Sequence, residues 1–165
     1  LFIRYNNILN FEEQQTCVNI LEQPKWQFIG TSNNEDPFTF WYRDLNTEEF
    51  FTNLFFTKVC EITEKKFTIT RVYANGQTYG LSGSLHMDHD DDRYYTFLYY
   101  ANPYWNVEWG GSTAFYKNEK EFITAEFIPN SSIFFKSNIM HVGLEPSRHF
   151  RGLRITVAYK LKEII

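Results

Sequence analysis

His86 and Asp88 stand two residues apart, in His86-Met87-Asp88, and His141 follows more than fifty residues later. On an extended backbone, residues i and i+2 point to the same side, so this imidazole and carboxylate can reach one metal ion together. His141 lies between an apolar strand and a turn, in Ile139-Met140-His141-Val142-Gly143. It can supply a third ligand if two sheets fold over one another. Two histidines and one carboxylate on one face of an octahedron, with the other positions open, suit non-haem iron(II) oxygen chemistry. The bland reading of the triplet is a surface histidine beside the acidic run Asp90–Asp92. That run lacks the spaced ligands and turn glycine of a calcium loop and reads as solvated. His89 would point away from the face shared by His86 and Asp88. His149 sits in a turn among Arg148, Phe150 and Arg151, where exposure is expected.

A second group of residues could hold an anion. Arg154 and Thr156 share one face of a C-terminal strand. A guanidinium can clamp a carboxylate by two parallel hydrogen bonds, and a neighbouring hydroxyl adds another donor. Arg148 and Arg151 are alternative anchors, but Arg154 immediately precedes the apolar strand and has Thr156 beside it. Tyr100 could contribute from a neighbouring strand, since Thr96, Leu98 and Tyr100 face one way while Phe97 and Tyr99 face the other. Tyr73 comes just before Asn75-Gly76, a dipeptide that signals a turn leading toward His86.

The elements that must position these groups change character along the chain. Asn10 is placed to cap a helix over Phe11–Leu21, with Glu12 and Glu13 in its first turn. Asn46 or Thr47 is placed to cap a longer helix reaching about Lys65, striped by Phe50, Leu54, Val59 and Ile62, with Lys65 and Lys66 complementing its dipole. Beyond Lys66, short runs rich in aromatic and β-branched residues alternate with turn signals. They are Phe67–Tyr73, Tyr94–Tyr100, Thr113–Tyr116, Glu121–Phe127, Ser132–Phe135 and Leu153–Leu161. Helices first and strands afterwards is an α+β order, mainly β, and predicts a jelly-roll core of two sheets buttressed by N-terminal helices.

Composition agrees with one domain over residues 1–165: residues 1–66 as helical support and early strands, residues 67–165 as the catalytic core. Aromatic residues make up 19%, with 17 Phe and 11 Tyr, which suits packing on pleated surfaces. The net charge of −4 comes from interspersed acids and bases, with no basic stripe for nucleic acid. The basic C-terminal third (Arg148, Arg151, Arg154, Lys160, Lys162) fits a small anionic ligand instead. Cys17 and Cys60 make no disulfide framework and read as thiols in a reducing compartment, so a cytoplasmic location is expected. No apolar run approaches a membrane span and no signal-peptide pattern is present, so a membrane partner is not expected.

Taken in order, several segments between Arg71 and Lys160 resemble the catalytic core of prolyl-4-hydroxylase-type iron(II)/2-oxoglutarate oxygenases. They are Tyr73-Ala74-Asn75-Gly76-Gln77-Thr78-Tyr79-Gly80, His86-Met87-Asp88 and Tyr95-Thr96-Phe97-Leu98-Tyr99-Tyr100-Ala101-Asn102. Trp109-Gly110-Gly111-Ser112-Thr113-Ala114-Phe115, His141-Val142-Gly143 and Arg154-Ile155-Thr156-Val157-Ala158-Tyr159 complete the series. The resemblance implies a double-stranded β-helix in which His86, Asp88 and His141 bind Fe(II). It implies that Arg154 anchors the far carboxylate of 2-oxoglutarate, assisted by Tyr100, and that Tyr73 lines the co-substrate pocket near the metal. Gly110-Gly111 matches a tight entry to a core strand, a structural role. The interval from His141 to Arg154 is longer than the family usually has, and this keeps Arg148 and Arg151 in view.

The expected reaction uses Fe(II), 2-oxoglutarate and O2, with ascorbate as a candidate reductant, and yields succinate, CO2 and a hydroxylated product. Halogenating relatives lack the carboxylate, so Asp88 favours hydroxylation. The resemblance favours proline in a peptide or protein as substrate. The alternatives are a free amino acid or other small molecule on the same scaffold, a cupin-like enzyme of another metal, and a metal-free β-sandwich binding module. The stretch Phe38–Asp44 follows the polar, turn-forming stretch Thr31–Pro37 and could close over substrate. Trp41, Arg43, Trp105 and Trp109 are wall candidates there, although aromatic residues in such a chain more often serve the core.

Overall fold

In the computed structural model, which describes residues 1–164, the longest apolar runs form strands buried on both faces. The strands are β1 (Ile3–Asn6), β2 (Gln27–Gly30), β3 (Phe40–Asp44), β4 (Phe67–Gln77), β5 (Tyr94–Tyr100), β6 (Thr113–Tyr116), β7 (Phe122–Ala125), β8 (Ser131–Lys136), β9 (His141–Gly143) and β10 (Arg154–Glu163). Helix α1 (Phe11–Leu21) follows β1, and a π-helical segment (Phe50–Phe55) runs into α2 (Phe56–Thr63) after β3. The strands form a seven-stranded sheet in the order β1-β8-β5-β10-β4-β3-β2 and a three-stranded sheet in the order β7-β6-β9. This is the expected jelly roll, a double-stranded β-helix with the helices against one face.

The major sheet divides its side chains between two cores. Phe97, Tyr99, Val157, Tyr159 and Leu161 face the helices and pack on Cys17, Leu21, Phe51, Phe55 and Val59. Leu98, Tyr100 and Ala158 face the opposite way and pack with Phe115, Ala125, Ile133 and Phe135 between the sheets. At the centre of the helix-side core, Phe55 meets Tyr99 edge-on at 5.0 Å between ring centroids and Tyr159 at 5.5 Å. Such pairs add to the large area each ring buries. The buried Tyr159 hydroxyl is satisfied by donating to the Phe51 carbonyl at 2.8 Å.

Helix α1 is capped as expected. Asn10 Oδ1 accepts the Glu13 N–H, and the Glu13 carboxylate accepts the Asn10 N–H, both at 2.9 Å. This reciprocal pair satisfies two donors that a helix start otherwise leaves free. The second helix differs from expectation. Neither Asn46 nor Thr47 caps it: Asn46 binds Asp44 and accepts the Val72 N–H at 3.0 Å, tying the helix approach to β4. The segment opens instead as a widened π turn that brings Phe50, Phe51 and Phe55 into one cluster. It stops at Thr63 because Glu64 takes a left-handed conformation, φ 54°. Lys65 lies past that stop and pairs with Glu163.

The dipeptide Asn75-Gly76 is not a turn. β4 continues through it to Gln77, with Gly76 opposite Trp41 on one side and Ile155 on the other. A Cβ at Gly76 would lie 2.7 Å from the Leu153 side chain, which packs directly over this glycine and would have to shift to admit any other residue. Strands β1, β2 and β3 lie where early strands are expected without stated bounds, and β9 falls outside the expected set. No helix among the described residues is long and apolar enough to cross a membrane.

Candidate active site

The two histidines are brought together by their backbones. His86 and His141 form an isolated antiparallel bridge, His86 N–H to His141 carbonyl at 3.0 Å and the reverse at 2.9 Å. Their rings lie 4.5 Å apart. The Asp88 N–H donates to the Ser137 carbonyl at 2.9 Å, which turns its side chain toward both rings. The segment is not a regular strand, yet it keeps the same-side relation expected of residues two apart. Asp88 Oδ1 lies 3.3 Å from His86 Nε2, and Oδ2 lies 3.5 Å from His141 Nε2. One ligand atom from each of the three residues falls within 4.8 Å of the others.

The donor set fits a divalent metal. Each histidine places Nδ1 2.8 Å from a backbone carbonyl, Ser84 for His86 and Ile139 for His141. An N–H at Nδ1 leaves Nε2 unprotonated and aimed inward, the arrangement that metal-binding histidines use. Burial pushes His141 down to about 4 against the pull of Asp88, keeping its ring neutral at physiological pH. Burial would raise Asp88, but Lys160, His86 and His141 outweigh it and hold the carboxyl well below the usual range. Lys160 pairs directly with Asp88 Oδ2, and Thr96 donates to the same oxygen at 2.6 Å.

A cavity of about 570 Å³ opens beside the triad. Arg154, Thr156 and Lys160, alternate residues of β10, line it together with Tyr73, Asn75 and Gln77 of β4. Arg154 is fully buried. Its Nε donates to the Gly111 carbonyl at 2.6 Å and its Nη1 to Gln77 Oε1 at 2.7 Å. Its Nη2 is buried with no partner among the described residues. Gly111 has φ 74°, and a Cβ there would sit 3.0 Å from Arg154, so the second glycine of Gly110-Gly111 makes room for the guanidinium. Burial lowers Arg154 to about 10, and nearby Tyr100 opposes that shift. A buried, charged fork with an unused donor is suited to a carboxylate.

The other expected residues are distributed unevenly. Tyr73 and Thr156 line the cavity, whereas Tyr100 stands behind its wall, donating to Thr113 Oγ1 at 3.1 Å. Arg148 and Arg151 are exposed and away from the cavity. His89 stacks on Tyr94 at 3.6 Å, clear of the triad. Of the stretch Phe38–Asp44, it is Phe40 and Tyr42 that line the cavity. Arg43 turns instead toward α1, while Trp105 and Trp109 pack on Phe150. Lys160, Gln77, Thr96 and Arg71 were not expected at the site. Lys160 was legible, because it continues the two-residue spacing of Arg154 and Thr156.

Residues 67–159 match the family model described as the 2OG-Fe(II) oxygenase superfamily. No curated protein matches the chain in sequence. Among solved structures, a prolyl hydroxylase from Trichoplax adhaerens, in complex with a hypoxia-inducible-factor oxygen degradation domain peptide fragment, aligns with TM-score 0.73 and 19% identity. That alignment covers 98% of this chain and 83% of that one. The viral collagen prolyl hydroxylase of Paramecium bursaria Chlorella virus-1, in its 2OG complex, aligns with TM-score 0.68 and 17% identity over 99% and 96%. A 2OG-Fe(II) oxygenase-family oxidoreductase from Burkholderia pseudomallei aligns with TM-score 0.75 and 10% identity over 98% and 84%.

Proposed function

The chain belongs to the 2OG-Fe(II) oxygenase superfamily, and from that premise we propose that it hydroxylates a prolyl residue of a peptide or protein. Fe(II) is the cofactor of this superfamily, and 2-oxoglutarate and O2 are its co-substrates. When bound, they supply the oxidising chemistry that turns an unactivated C–H bond into an alcohol, with 2-oxoglutarate converted to succinate and CO2.

In this reading His86 and His141 bind iron through Nε2 while their Nδ1 atoms stay tied to Ser84 and Ile139. Asp88 supplies the carboxylate, and Thr96 fixes that carboxylate's rotation from the β5 side. Arg154 receives the far carboxylate of 2-oxoglutarate on Nη2, with Thr156 beside it, and Tyr73 borders the pocket toward the metal. Tyr100 is a positioning residue that acts through Thr113. The observation that carries the reading is the buried, unpartnered Arg154 Nη2 in the same cavity as the His86–Asp88–His141 cluster. Proline is supported by the resemblance of the segments around Tyr73, His86 and Arg154 to prolyl hydroxylases, and by the prolyl hydroxylases among the structures of the same fold.

The test begins with anaerobic titration of Fe(II) and 2-oxoglutarate, watching for the weak visible charge-transfer band of the chelate. A band that Asp88→Ala or Arg154→Leu weakens is the expected result. No band from folded protein would withdraw the site assignment. Proline-containing peptides are then compared with free proline, quantifying succinate and hydroxylated product together. Succinate without hydroxylated product would withdraw proline.

A further inference from the structure

The cavity carries more positive charge than the metal site and co-substrate use. Its charged lining residues are Arg71, Asp88, Arg154 and Lys160. Asp88 offsets Lys160, with which it pairs, and Arg154 and Arg71 remain. A divalent metal and the 2-oxoglutarate dianion cancel one another, so their binding does not reduce that excess. Arg154 lies at the closed inner end with Gly111 and Gln77. Arg71 is exposed at the mouth, four residues before Asn75 on β4 and directly opposite Lys160 in register.

Arg71 is held in place without being neutralised. Its guanidinium lies over the Tyr73 ring at 4.3 Å, and Tyr42 stacks on the same ring at 5.3 Å. Stacking fixes the plane of a guanidinium while leaving its edge donors free. Its side chain forms no hydrogen bond or ion pair among the described residues. Asp44, opposite Tyr73 on β3, has its Oδ1 occupied by the Asn46 backbone and side chain at 2.7 and 2.8 Å. Asn75, also lining the cavity, keeps its side-chain oxygen buried and unpartnered, so the wall beside Tyr73 offers an acceptor as well.

We propose that the substrate carries a carboxylate and that Arg71 receives it at the mouth of the cavity, over Tyr73. This rests on the oxygenase reading above and narrows its substrate class to carboxylate-bearing ligands. Two sources present that chemistry: the main-chain carboxylate of a free amino acid or C-terminal residue, and the side chain of an acidic residue beside the target in a peptide.

The test uses the protein loaded with Mn(II) and 2-oxoglutarate, which permits binding without turnover, and reads affinity by calorimetry. Ligands come in pairs differing only as carboxylate and carboxamide: L-proline and L-prolinamide, end-blocked Pro-Asp and Pro-Asn peptides, and L-leucine and L-leucinamide. We expect the carboxylate to bind about tenfold more tightly in at least one pair. Arg71→Leu should abolish the preference, and Arg71→Lys should restore part of it. The pair that responds identifies the source of the carboxylate. A response confined to the leucine pair would keep the role of Arg71 and withdraw proline. No preference in any pair, or one that survives Arg71→Leu, would overturn the proposal. So would a loss of 2-oxoglutarate affinity in Arg71→Leu, since Arg71 would then serve the co-substrate.

Discussion

Two arginines are buried to the same depth, Arg43 and Arg154, each about 1% exposed, and they are built to opposite ends. Arg43, on β3, projects toward α1. It donates to the Ile20 and Gln23 carbonyls and the Gln23 side chain, and pairs with the Glu48 carboxylate at 3.1 Å. Arg154, on β10, projects into the cavity with a carbonyl and a neutral amide as partners and, among the described residues, no carboxylate partner and one terminal nitrogen unused. A buried charge is costly unless it is paired and hydrogen-bonded. Arg43 meets that condition at both terminal nitrogens, one of them on a carboxylate, leaving only its Nε unpartnered among the described residues, and it fastens a helix to the sheet. In the proposed reading Arg154 leaves it unmet until the 2-oxoglutarate carboxylate arrives, so burial that would weaken a structural residue would sharpen a binding one.

The comparison can be broken most forcefully at Arg43. Arg43→Leu strands the Ile20 and Gln23 carbonyls and deprives Glu48 of its buried partner, and should cost about 4 kcal/mol of stability in denaturant unfolding. Affinity for 2-oxoglutarate in the protein that remains folded should be unchanged; a parallel loss would mean that the two arginines are coupled. Arg154→Leu should do the reverse. Removing the unpaired buried charge should leave the unfolding midpoint level or raised, while 2-oxoglutarate affinity falls about a hundredfold. Unaltered affinity in calorimetric titration would transfer the anchor to another residue.

Acid should separate the two regions more gently. Burial would raise Glu48, but Lys25 and Arg43 outweigh it and lower its pKa. The unfolded chain therefore takes up this proton first as pH falls, so the contribution of Glu48 is full above about pH 4.5 and is lost below it. Glu48→Gln should flatten that part of the stability profile, and an unchanged acid limb would show that the pair contributes nothing. The smallest effect is expected at the start of α1, where neither arginine bonds. Asn10→Ala removes half of the α1 capping box and should cost about 1 kcal/mol with no change in any ligand affinity.

The same contrast explains what could be read in advance. Tyr94–Tyr100 and Thr113–Tyr116 are legible to the residue because aromatic runs between turn signals are strong local patterns, and Asn10 carries its cap within three residues. His86, Asp88, His141 and Arg154 were legible because each type and spacing has few other uses in combination. Asn75-Gly76 misleads because the dipeptide is a local turn signal, whereas the Leu153 side chain that packs over this glycine comes from far along the chain. Strands β1, β2 and β9 have three or four residues each, too few to show a period. The role of Arg43 depends on backbone carbonyls at the end of α1 and just past it, which carry no sequence signature at all.

The position of β10 also dictates a timetable. It pairs with β4 on one side and β5 on the other, so two strands that follow one another in sequence become neighbours of a common partner rather than of each other. During synthesis β4 and β5 leave the ribosome with bare edges, and the sheet cannot close until a segment about sixty residues beyond β5 has emerged. Pairings across such separations are slow, and open edges are sticky while they wait. Because Arg154 travels on that closing strand, the pocket is assembled only as the sheet closes. A chain halted before β10 is both unfinished and prone to aggregate.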